Sequence, residues 1–485
     1  MSRYTFSVLL ILISIGSWAQ IPVEKLDELA SKYTLNSLDE FYSLLSIPND
    51  ANMPETIEPN VVWCERAFEK RGFTTSRINT ETVPLLLAEK NFRKAEKTVL
   101  IYLQIDGQPV DSTKWLQKNP YIPALKQQNK DGQWEEMPWT KSRNYEDDWR
   151  VFARSSSDAK GPAVMFLVIM DFEEELGSPR LPRAVEDNKE LLAADMLVIF
   201  DGPMHITNKP TLVFGARGIA TVTLTTFGPI TPQHSGHYGN YSPNPAFGLT
   251  KLLASMKDDG GKVTIPGYYD GITISPEVET LLKAVPDDEN EIKERLQIAQ
   301  PEKVGSYYQE ALQYPSLNIR CTQSRRRDDE ARTIIPAWAR AELDLRLVLE
   351  SDPERLVSLV KEHIENSGYH VLDREPTKEE RMKHEKIASF TYEISYQSFR
   401  TDFDTDLGIW LRRSLKNAYG EDPVMERMAG GSIPISPLVV SLWLPAVSVP
   451  TVNRDNNQHS PNENIRLGNY REGIKIMLAI LGEEL

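Results

Sequence analysis

Residues of the types that bind metals in proteins are spread along the whole chain. Most of them follow or precede an apolar, strand-like run in a loop-like context. Hard and borderline divalent metals need carboxylate oxygens and imidazole nitrogens that converge from several loops. The residues that could supply such ligands are Asp106, Asp158, Glu174, Glu175, Asp201, His234 and His459.

The adjacent pair Glu174-Glu175 offers two different chemical roles. A metal-assisted hydrolysis needs carboxylates as ligands and one further carboxylate, free of metal, that takes a proton from water. Acidic pairs are common in a chain with 70 Asp and Glu residues. A solvated acidic turn at 173–175 is therefore the alternative that the pair alone leaves open, and the surrounding motifs must decide.

Two of the acidic residues follow apolar runs that are typical of buried strands. Residues 98–103 lead directly into Gln104-Ile105-Asp106-Gly107, and residues 196–200 lead into Asp201-Gly202-Pro203. The carboxyl end of a strand in an open α/β sheet is a common location for catalytic groups. The pattern therefore predicts that Asp106 and Asp201 belong to a site at such strand ends.

The order of elements predicts an α+β domain inserted into an α/β domain. Residues 23–73 have helical spacing, and α/β sequence continues to about 208. Strand-like runs and amphipathic helices then alternate, the clearest helix being 353–367, and the α/β pattern resumes after about 398. We therefore predict a catalytic domain made of 20–208 and 398–485, with an inserted lid and dimerisation domain at 209–397.

Composition excludes some functions and bounds others. The net charge of −15 argues against a nucleic-acid-binding protein, which needs a basic face. The hydrophobic share of 40% and the charged share of 26% are ordinary for a soluble globular protein. Cys64 and Cys321 are far apart in sequence, and we expect two buried or free thiols instead of a disulfide.

The N-terminus has the composition of a signal peptide. Arg3 precedes an apolar run at 8–15, and Ser17-Trp18-Ala19 is similar to a small-x-small cleavage site. We therefore expect residues 1–19 to be removed and the protein to be exported, with an uncleaved anchor as the alternative. No later run is long and apolar enough to span a membrane, so we expect no membrane association after cleavage.

The motifs together resemble a known metallopeptidase family. It includes carnosinase and cytosolic nonspecific dipeptidase, with carboxypeptidase G and acetylornithine deacetylase as more distant relatives. The resemblance runs from about Ile21 to the C-terminus and is strong because all the motifs occur in the family's order. The matching segments are 104–109 (QIDGQP), 157–162 (SDAKGP), 174–178 (EELGS), 200–201 (FD), 234–236 (HSG), 332–336 (RTIIP), 430–434 (GGSIP) and 459–463 (HSPNE).

The resemblance implies a two-metal hydrolase site. Asp158 would bridge two metals, most simply Zn²⁺, although Mn²⁺ and Co²⁺ also fit. Glu175 and His459 would complete one site, and Asp201 would help to hold the second. Glu174 would act as the general base and then protonate the leaving amine, while Asp106 would orient the surroundings of Glu174.

The resemblance also implies substrate contacts and a homodimer. The relatives' counterpart of His234 enters the partner subunit's active site and stabilises the oxyanion. Arg346, Thr333 and Ser432 match positions that bind the substrate's backbone and carboxylate, and the fork of an arginine suits a carboxylate. Without the resemblance, His234 would be interpreted as a loop histidine and Arg346 as a surface ion-pair residue.

Two departures from the family pattern bear on activity. Gln104 stands where the family usually has His, and an amide oxygen is a weaker zinc ligand than imidazole. This predicts one tight and one weak metal, or a cation harder than zinc. The segment from Asp158 to Glu174 is also short, so the apolar run 163–170 should form a strand or two helical turns but not both. This could displace Glu174 and Glu175 from Asp158.

The sequence thus predicts an α/β, zinc-peptidase-like catalytic domain with an inserted α+β lid and dimerisation domain. The predicted reaction is hydrolysis of the amide bond of dipeptides or short peptides that have a free carboxylate. Two alternatives remain open at this point. One is a deacylase of N-acyl amino acids, and the other is a binding protein that has lost catalysis through Gln104 and the short segment.

Overall fold

The first part of the chain begins with two helices and then alternates between strands and helices. The computed structural model describes residues 22–92, 95–165, 169–171, 174–324, 333–431 and 433–485. Elements are numbered in chain order. Up to residue 216 they are α1 (Val23–Leu45), α2 (Glu58–Glu69), β1 (Thr74–Ile78), β2 (Leu85–Glu89), β3 (Val99–Gln104), β4 (Ala124–Gln128), β5 (Trp134–Met137), β6 (Arg150–Phe152), α3 (Lys160–Met165), β7 (Ile169–Asp171), α4 (Leu181–Asp187), β8 (Met196–Ile199), β9 (Thr211–Val213) and β10 (Gly215–Ala216).

The middle of the chain has longer strands and many short helices. Its elements are β11 (Gly218–Phe227), β12 (Gln233–His234), α5 (Ser235–Tyr238), α6 (Pro245–Ala254), α7 (Pro276–Lys283), α8 (Glu289–Leu296), α9 (Tyr308–Ala311), β13 (Ser316–Gln323), β14 (Ile334–Ile335), β15 (Trp338–Leu347), α10 (Pro353–Asn366), β16 (His370–Leu372), α11 (Lys378–Lys383) and β17 (Ile387–Tyr396).

The last part of the chain returns to the pattern of the first. Its elements are β18 (Phe399–Arg400), α12 (Asp406–Tyr419), β19 (Val424–Glu426), α13 (Ser436–Leu442), β20 (Ala446–Ser448), β21 (Asn464–Arg466) and α14 (Leu467–Leu481).

The first and last parts of the chain share one sheet, which we call the main sheet. In the part of the chain that the structure describes it has eight strands, in the order β1-β2-β7-β3-β8-β20-β9-β19. The central strands β7, β3, β8 and β20 are parallel to their neighbours in this run, so their carboxyl ends meet at one edge. A smaller sheet, β21-β6-β4-β5, lies in the same part of the fold.

The main sheet is covered by helices on both faces, which explains its uninterrupted apolar strands. Along β3, Leu103 packs into a core with α1, α12 and α14, and Tyr102 packs into a second core with α4 and α13. Val198 and Leu197 divide between the same two cores on β8. Alternate residues therefore point to opposite faces, and the result is a three-layer α/β domain.

The middle of the chain forms a second sheet, which we call the lid sheet. Its order is β13-β15-β11-β17-β16, and all neighbours are antiparallel except β16 and β17. Helices α6 and α10 cover one face. The side chain of Asp352 accepts a hydrogen bond from the Arg355 backbone N–H at 2.7 Å and starts α10, a cap worth about 1 kcal/mol.

The two connections between the main sheet and the lid sheet lie side by side. Outgoing β10 pairs antiparallel with returning β18, with Gly215 opposite Arg400. A Cβ atom on Gly215 would lie 2.6 Å from the carbonyl oxygen of Phe399, so glycine is required for this close approach. Strand β9 still belongs to the main sheet, so the chain leaves for the lid just after Val213.

The expectation that residues 163–170 form a strand or a helix, but not both, is wrong. Helix α3 ends at Met165, and strand β7 begins at Ile169 and pairs in parallel with β3. Both elements fit because α3 starts only two residues after Asp158 and β7 has only three residues. The connection from Asp158 to β7 is thus a crossover with a short helix and a short strand. The order of the main sheet is not rearranged.

Candidate metal centre

The predicted site residues come together at the carboxyl edge of the main sheet. Gln104 is the last residue of β3, Asp201 follows β8 by two positions, and Glu174 begins a 3-10 turn just after β7. The carboxyl ends of parallel strands share one edge, which explains why residues so distant in sequence meet.

Asp158, Glu175 and His459 form the core of the site. Their possible ligand atoms lie within 4.8 Å of one another. His459 Nε2 is 2.9 Å from Asp158 Oδ2 and 3.4 Å from Glu175 Oε2. Ligands bonded to one Zn²⁺ lie within about 4 Å of each other, so the imidazole already has this spacing to both carboxylates. The donor set therefore fits a divalent cation.

The site concentrates negative charge in a buried place. Burial and then the charge of Asp158 raise the pKa of Glu175 to about 8 and the pKa of Asp201 to about 7. Burial, followed by the neighbouring carboxylates, raises the pKa of Glu174 well above its usual value. The hydrogen bond to Asp158 raises the pKa of His459 to about 9. A bound cation would relieve this mutual repulsion.

The turn that carries both glutamates is held from the end of β3. The backbone N–H of Glu175 donates to Asp106 Oδ2 at 2.9 Å, and Gln108 Nε2 donates to Glu175 Oε2 at 2.7 Å. Glu175 points into the cluster, with only 4% of its side chain exposed. Asp106 thus holds the turn through the backbone of Glu175.

The loop that carries Asp158 is fixed by Glu463, whose role the sequence analysis missed. The Glu463 side chain is fully buried and accepts hydrogen bonds from Arg154 Nη1 at 2.7 Å and from the Asp158 backbone N–H at 2.9 Å. It also accepts from the backbone N–H of Ser155 and from the backbone N–H and hydroxyl of Ser157. The signal in the sequence was an acidic residue within the segment 459–463, four positions after His459.

Gln104 and Asp201, predicted to serve a second metal, are placed differently from the first group. Gln104 Nε2 donates to Asp158 Oδ1 at 3.1 Å, so the amide presents nitrogen to the carboxylate. Asp201 is not part of the convergent group of Asp158, Glu175 and His459, among the residues that the structure describes.

The predicted substrate residues lie on the lid side. His234 is exposed, and its Nδ1 accepts a hydrogen bond from the Gly236 backbone N–H at 3.0 Å instead of joining the cluster. The exposed Thr333 lies beside this loop, since its carbonyl accepts from the Ser235 backbone N–H at 3.0 Å. Ser432 lies outside the described residues.

Arg346 lies at the same end of the lid sheet as Tyr396. Both Arg346 on β15 and Tyr396 on β17 are paired with Ile219 on β11. Burial and then the negative charge of Glu174 raise the pKa of Tyr396, which indicates that this end of the sheet is near Glu174. Arg346 Nε also donates to Asp344 at 3.1 Å.

Several remaining expectations can be compared with the fold. Cys64 is buried and Cys321 is exposed, and both are free, as expected. Within the described residues no helix has both the length and the apolar character needed to cross a bilayer. The predicted domain boundaries at 208 and 398 fall close to the β10–β18 crossing.

Comparison with known proteins identifies relatives over most of the chain. The family model described as the M20 peptidase dimerisation domain matches residues 214–371. The Cys-Gly metallodipeptidase dug1 of Schizosaccharomyces pombe is 26% identical, with 86% of each chain covered. The Beta-Ala-His dipeptidase of Mus musculus is 26% identical, with 82% of this chain and 80% of the relative covered.

A solved structure extends the likeness to the fold. The M20 family metallo-carboxypeptidase Sso-CP2 from Sulfolobus solfataricus has a TM-score of 0.74 and 26% identity, covering 92% of this chain and 98% of that one. Human carnosine dipeptidase 1, at 21% identity and a TM-score of 0.72, shares the fold over 94% of this chain and 98% of that one.

The prediction of export is wrong. The Cys-Gly metallodipeptidases of Schizosaccharomyces pombe, Saccharomyces cerevisiae and Candida albicans match this chain over 83–95% of its length, and these relatives are cytosolic dipeptidases. The prediction relied on a short apolar run behind one arginine, a composition that does not by itself establish translocation. The predicted signal peptide, residues 1–19, lies outside the described residues.

The relatives and the solved structures support the predicted resemblance, fold class and enzyme class. The family resemblance and the α/β fold class with an added dimerisation domain are confirmed. The assignment to hydrolases of the peptidase type is also confirmed. The chain is therefore similar to the M20 peptidases, with the Cys-Gly and Beta-Ala-His dipeptidases among its relatives.

Proposed function

We propose that this chain is a metal-dependent dipeptidase that hydrolyses the amide bond of dipeptides or short peptides with a free carboxylate. The observation that carries the proposal is the convergence of Asp158, Glu175 and His459 beside Glu174. Metallodipeptidase relatives that match four fifths or more of the chain support it. The presence of both α3 and β7 between Asp158 and Glu174 supports an active enzyme over a degenerate binding protein.

Asp158, Glu175 and His459 would hold the divalent cation, which we propose to be Zn²⁺, with Mn²⁺ and Co²⁺ as other fitting ions. When bound, such a cation would polarise the scissile carbonyl and lower the pKa of water. Glu175 is fixed for this role by Gln108 and by the backbone hydrogen bond to Asp106.

Glu174 would move the proton. It follows β7, precedes the ligand Glu175 and is not part of the convergent ligand group, so its carboxylate remains available to a substrate. It would take a proton from the attacking water and deliver it to the leaving amine. Asp106, which holds the turn, would keep Glu174 in position.

Substrate recognition would come from the lid. Arg346 would bind the substrate's carboxylate through its guanidinium fork, and its position near Glu174 supports this role. Thr333 and Ser432 would bind the substrate's backbone. His234 would stabilise the developing oxyanion from the second subunit of a homodimer.

Metal content and hydrolysis measured on one sample test the proposal. Wild-type chains loaded with Zn²⁺, Mn²⁺ or Co²⁺ should cleave dipeptides with free amino termini faster than N-acetyl or N-succinyl amino acids. The reverse preference would favour the deacylase. Bound metal without cleavage of any substrate would favour the binding protein.

The variant His459→Ala should lower metal affinity by at least about 10–100-fold, the loss typical of groups that only orient a ligand. The physical reason is that the imidazole is the one nitrogen donor of the group. Elemental analysis after dialysis measures the effect. The matched control is His384→Ala in the lid, which should keep its metal; unchanged metal content in His459→Ala would contradict the assignment.

The homodimer proposal rests on the dimerisation-domain match and on the lid surface. Large apolar side chains are exposed on both sides of His234 in sequence: Ile230 at 72%, Tyr241 at 88% and Phe247 at 69%. Exposed apolar side chains mark a protein interface where they form one contiguous patch. His234 lies between Ile230 and Tyr241 in sequence and is not part of its own chain's convergent group.

Mixing two inactive variants tests whether the site is shared. In a heterodimer of Glu174→Gln and His234→Ala chains, one site would combine an intact Glu174 with the intact His234 of the other chain. We therefore expect about half of the wild-type activity per heterodimer, because each dimer has two sites. Heterodimers confirmed by mass, but without activity, would show that His234 does not act across the interface.

A further inference from the structure

Gln104 contacts the carboxylate of Asp158 in the candidate metal centre. It ends β3, only 3% of it is exposed, and its Nε2 donates to Asp158 Oδ1 at 3.1 Å. Among the described residues nothing donates a hydrogen bond to its buried Oε1. A buried amide oxygen without a hydrogen-bond donor is costly. The direction in which the Gln104 amide points therefore bears on what its side chain does in the site.

The two oxygens of Asp158 are used differently. Oδ2 faces His459 Nε2 at 2.9 Å, on the side where Glu175 completes the group. Oδ1 faces Gln104 and accepts a hydrogen bond from its amide N–H. One oxygen is thus directed to the convergent ligands, and the other is already occupied by a hydrogen-bond donor.

A second ion on the Oδ1 side would need a ligand where Gln104 now places a donor. An amide nitrogen offers two N–H groups and does not act as an acceptor, so it cannot hold a cation. Turning the amide would place Oε1 against Oδ1, and two acceptors at that distance are favourable only with a cation between them.

We propose that each chain holds one divalent ion, at Asp158, Glu175 and His459, and that Gln104 is a positioning residue that binds Asp158 in place of a second ion. The inference rests on the proposed function, because it assumes that the convergent group binds metal. The inference adds that Gln104 determines the number of divalent ions bound per chain.

The test is a count of ions per chain in wild type and Gln104→His. After equilibrium dialysis against Zn²⁺, and separately against Mn²⁺, elemental analysis should find one ion in the wild type. Gln104→His offers an imidazole nitrogen at the Oδ1 side and should raise the count to two with Zn²⁺. Gln104→Leu, which has neither a donor nor a ligand, is the matched control and should stay at one.

The outcomes separate this inference from the proposed function. Two ions in the wild type, with either metal, would overturn the inference and leave the dipeptidase proposal intact. One ion in both wild type and Gln104→His would overturn the role of Gln104. No ion in the wild type would instead overturn the metal centre itself. If Gln104→His does not fold, as judged by circular dichroism, Gln104→Glu with Mn²⁺ provides the same test, because a carboxylate oxygen suits that ion.

Discussion

Replacing Glu174 by Gln should lower kcat for dipeptide hydrolysis by about 10²- to 10⁴-fold, the usual contribution of a positioned general acid–base group. The substitution keeps the size of the side chain and removes its ability to take a proton. Metal content should stay at the wild-type value, because Glu174 is not among the convergent ligands. Steady-state kinetics and elemental analysis on the same preparation measure both quantities.

The matched control for this prediction is Glu190→Gln, an exposed glutamate in the turn that follows α4. It has the same chemistry and should leave kcat unchanged. If Glu174→Gln retains wild-type turnover, the proton must be taken by another group. If it loses metal together with activity, Glu174 is a ligand and the division of roles within the pair is different.

Replacing Glu463 by Gln should destabilise the metal-free protein by about 3–5 kcal/mol, the cost of breaking a buried ion pair from one side. The Arg154 side chain, which is 4% exposed, would lose its charged partner. The three backbone N–H groups of the Asp158 loop would lose a carboxylate acceptor. Because this loop carries Asp158, a proposed metal ligand, metal affinity should fall as well.

Urea unfolding measures the stability change, and a titration with Zn²⁺ measures the affinity. The control is Glu421→Gln, which removes the same charge from an exposed pair with Lys209. Exposed pairs contribute about 0–1 kcal/mol, so this variant should be nearly neutral. Equal effects of the two substitutions would mean that Glu463 does not organise the loop.

The ligand group could be predicted from the sequence because each of its members is part of a motif. The residues at the ends of β3 and β8 could be placed because apolar runs without alternation indicate strands covered on both faces. Asp106 and Glu175 are joined in the structure by a backbone hydrogen bond, a detail that no motif contains. The amide orientation of Gln104 likewise depends on three-dimensional packing.

The features that were predicted wrongly or missed have specific physical origins. The length rule for crossovers assumed a full helix and a full strand, whereas α3 has six residues and β7 has three. Glu463 was missed because a charged residue is ordinarily assigned to the surface, and only the converging N–H groups explain its burial. The second copy of the chain, which His234 is proposed to serve, cannot be located from the sequence of one chain.

The pairing of β10 with β18 has a consequence for the architecture as a whole. Excising residues 217–398 would leave two chain ends on neighbouring strands, about 4.8 Å apart across a single ladder. A short glycine linker could rejoin them without moving the main sheet, and new termini could equally be opened there by circular permutation. Gly215 therefore marks the point at which the lid can be separated from the main sheet.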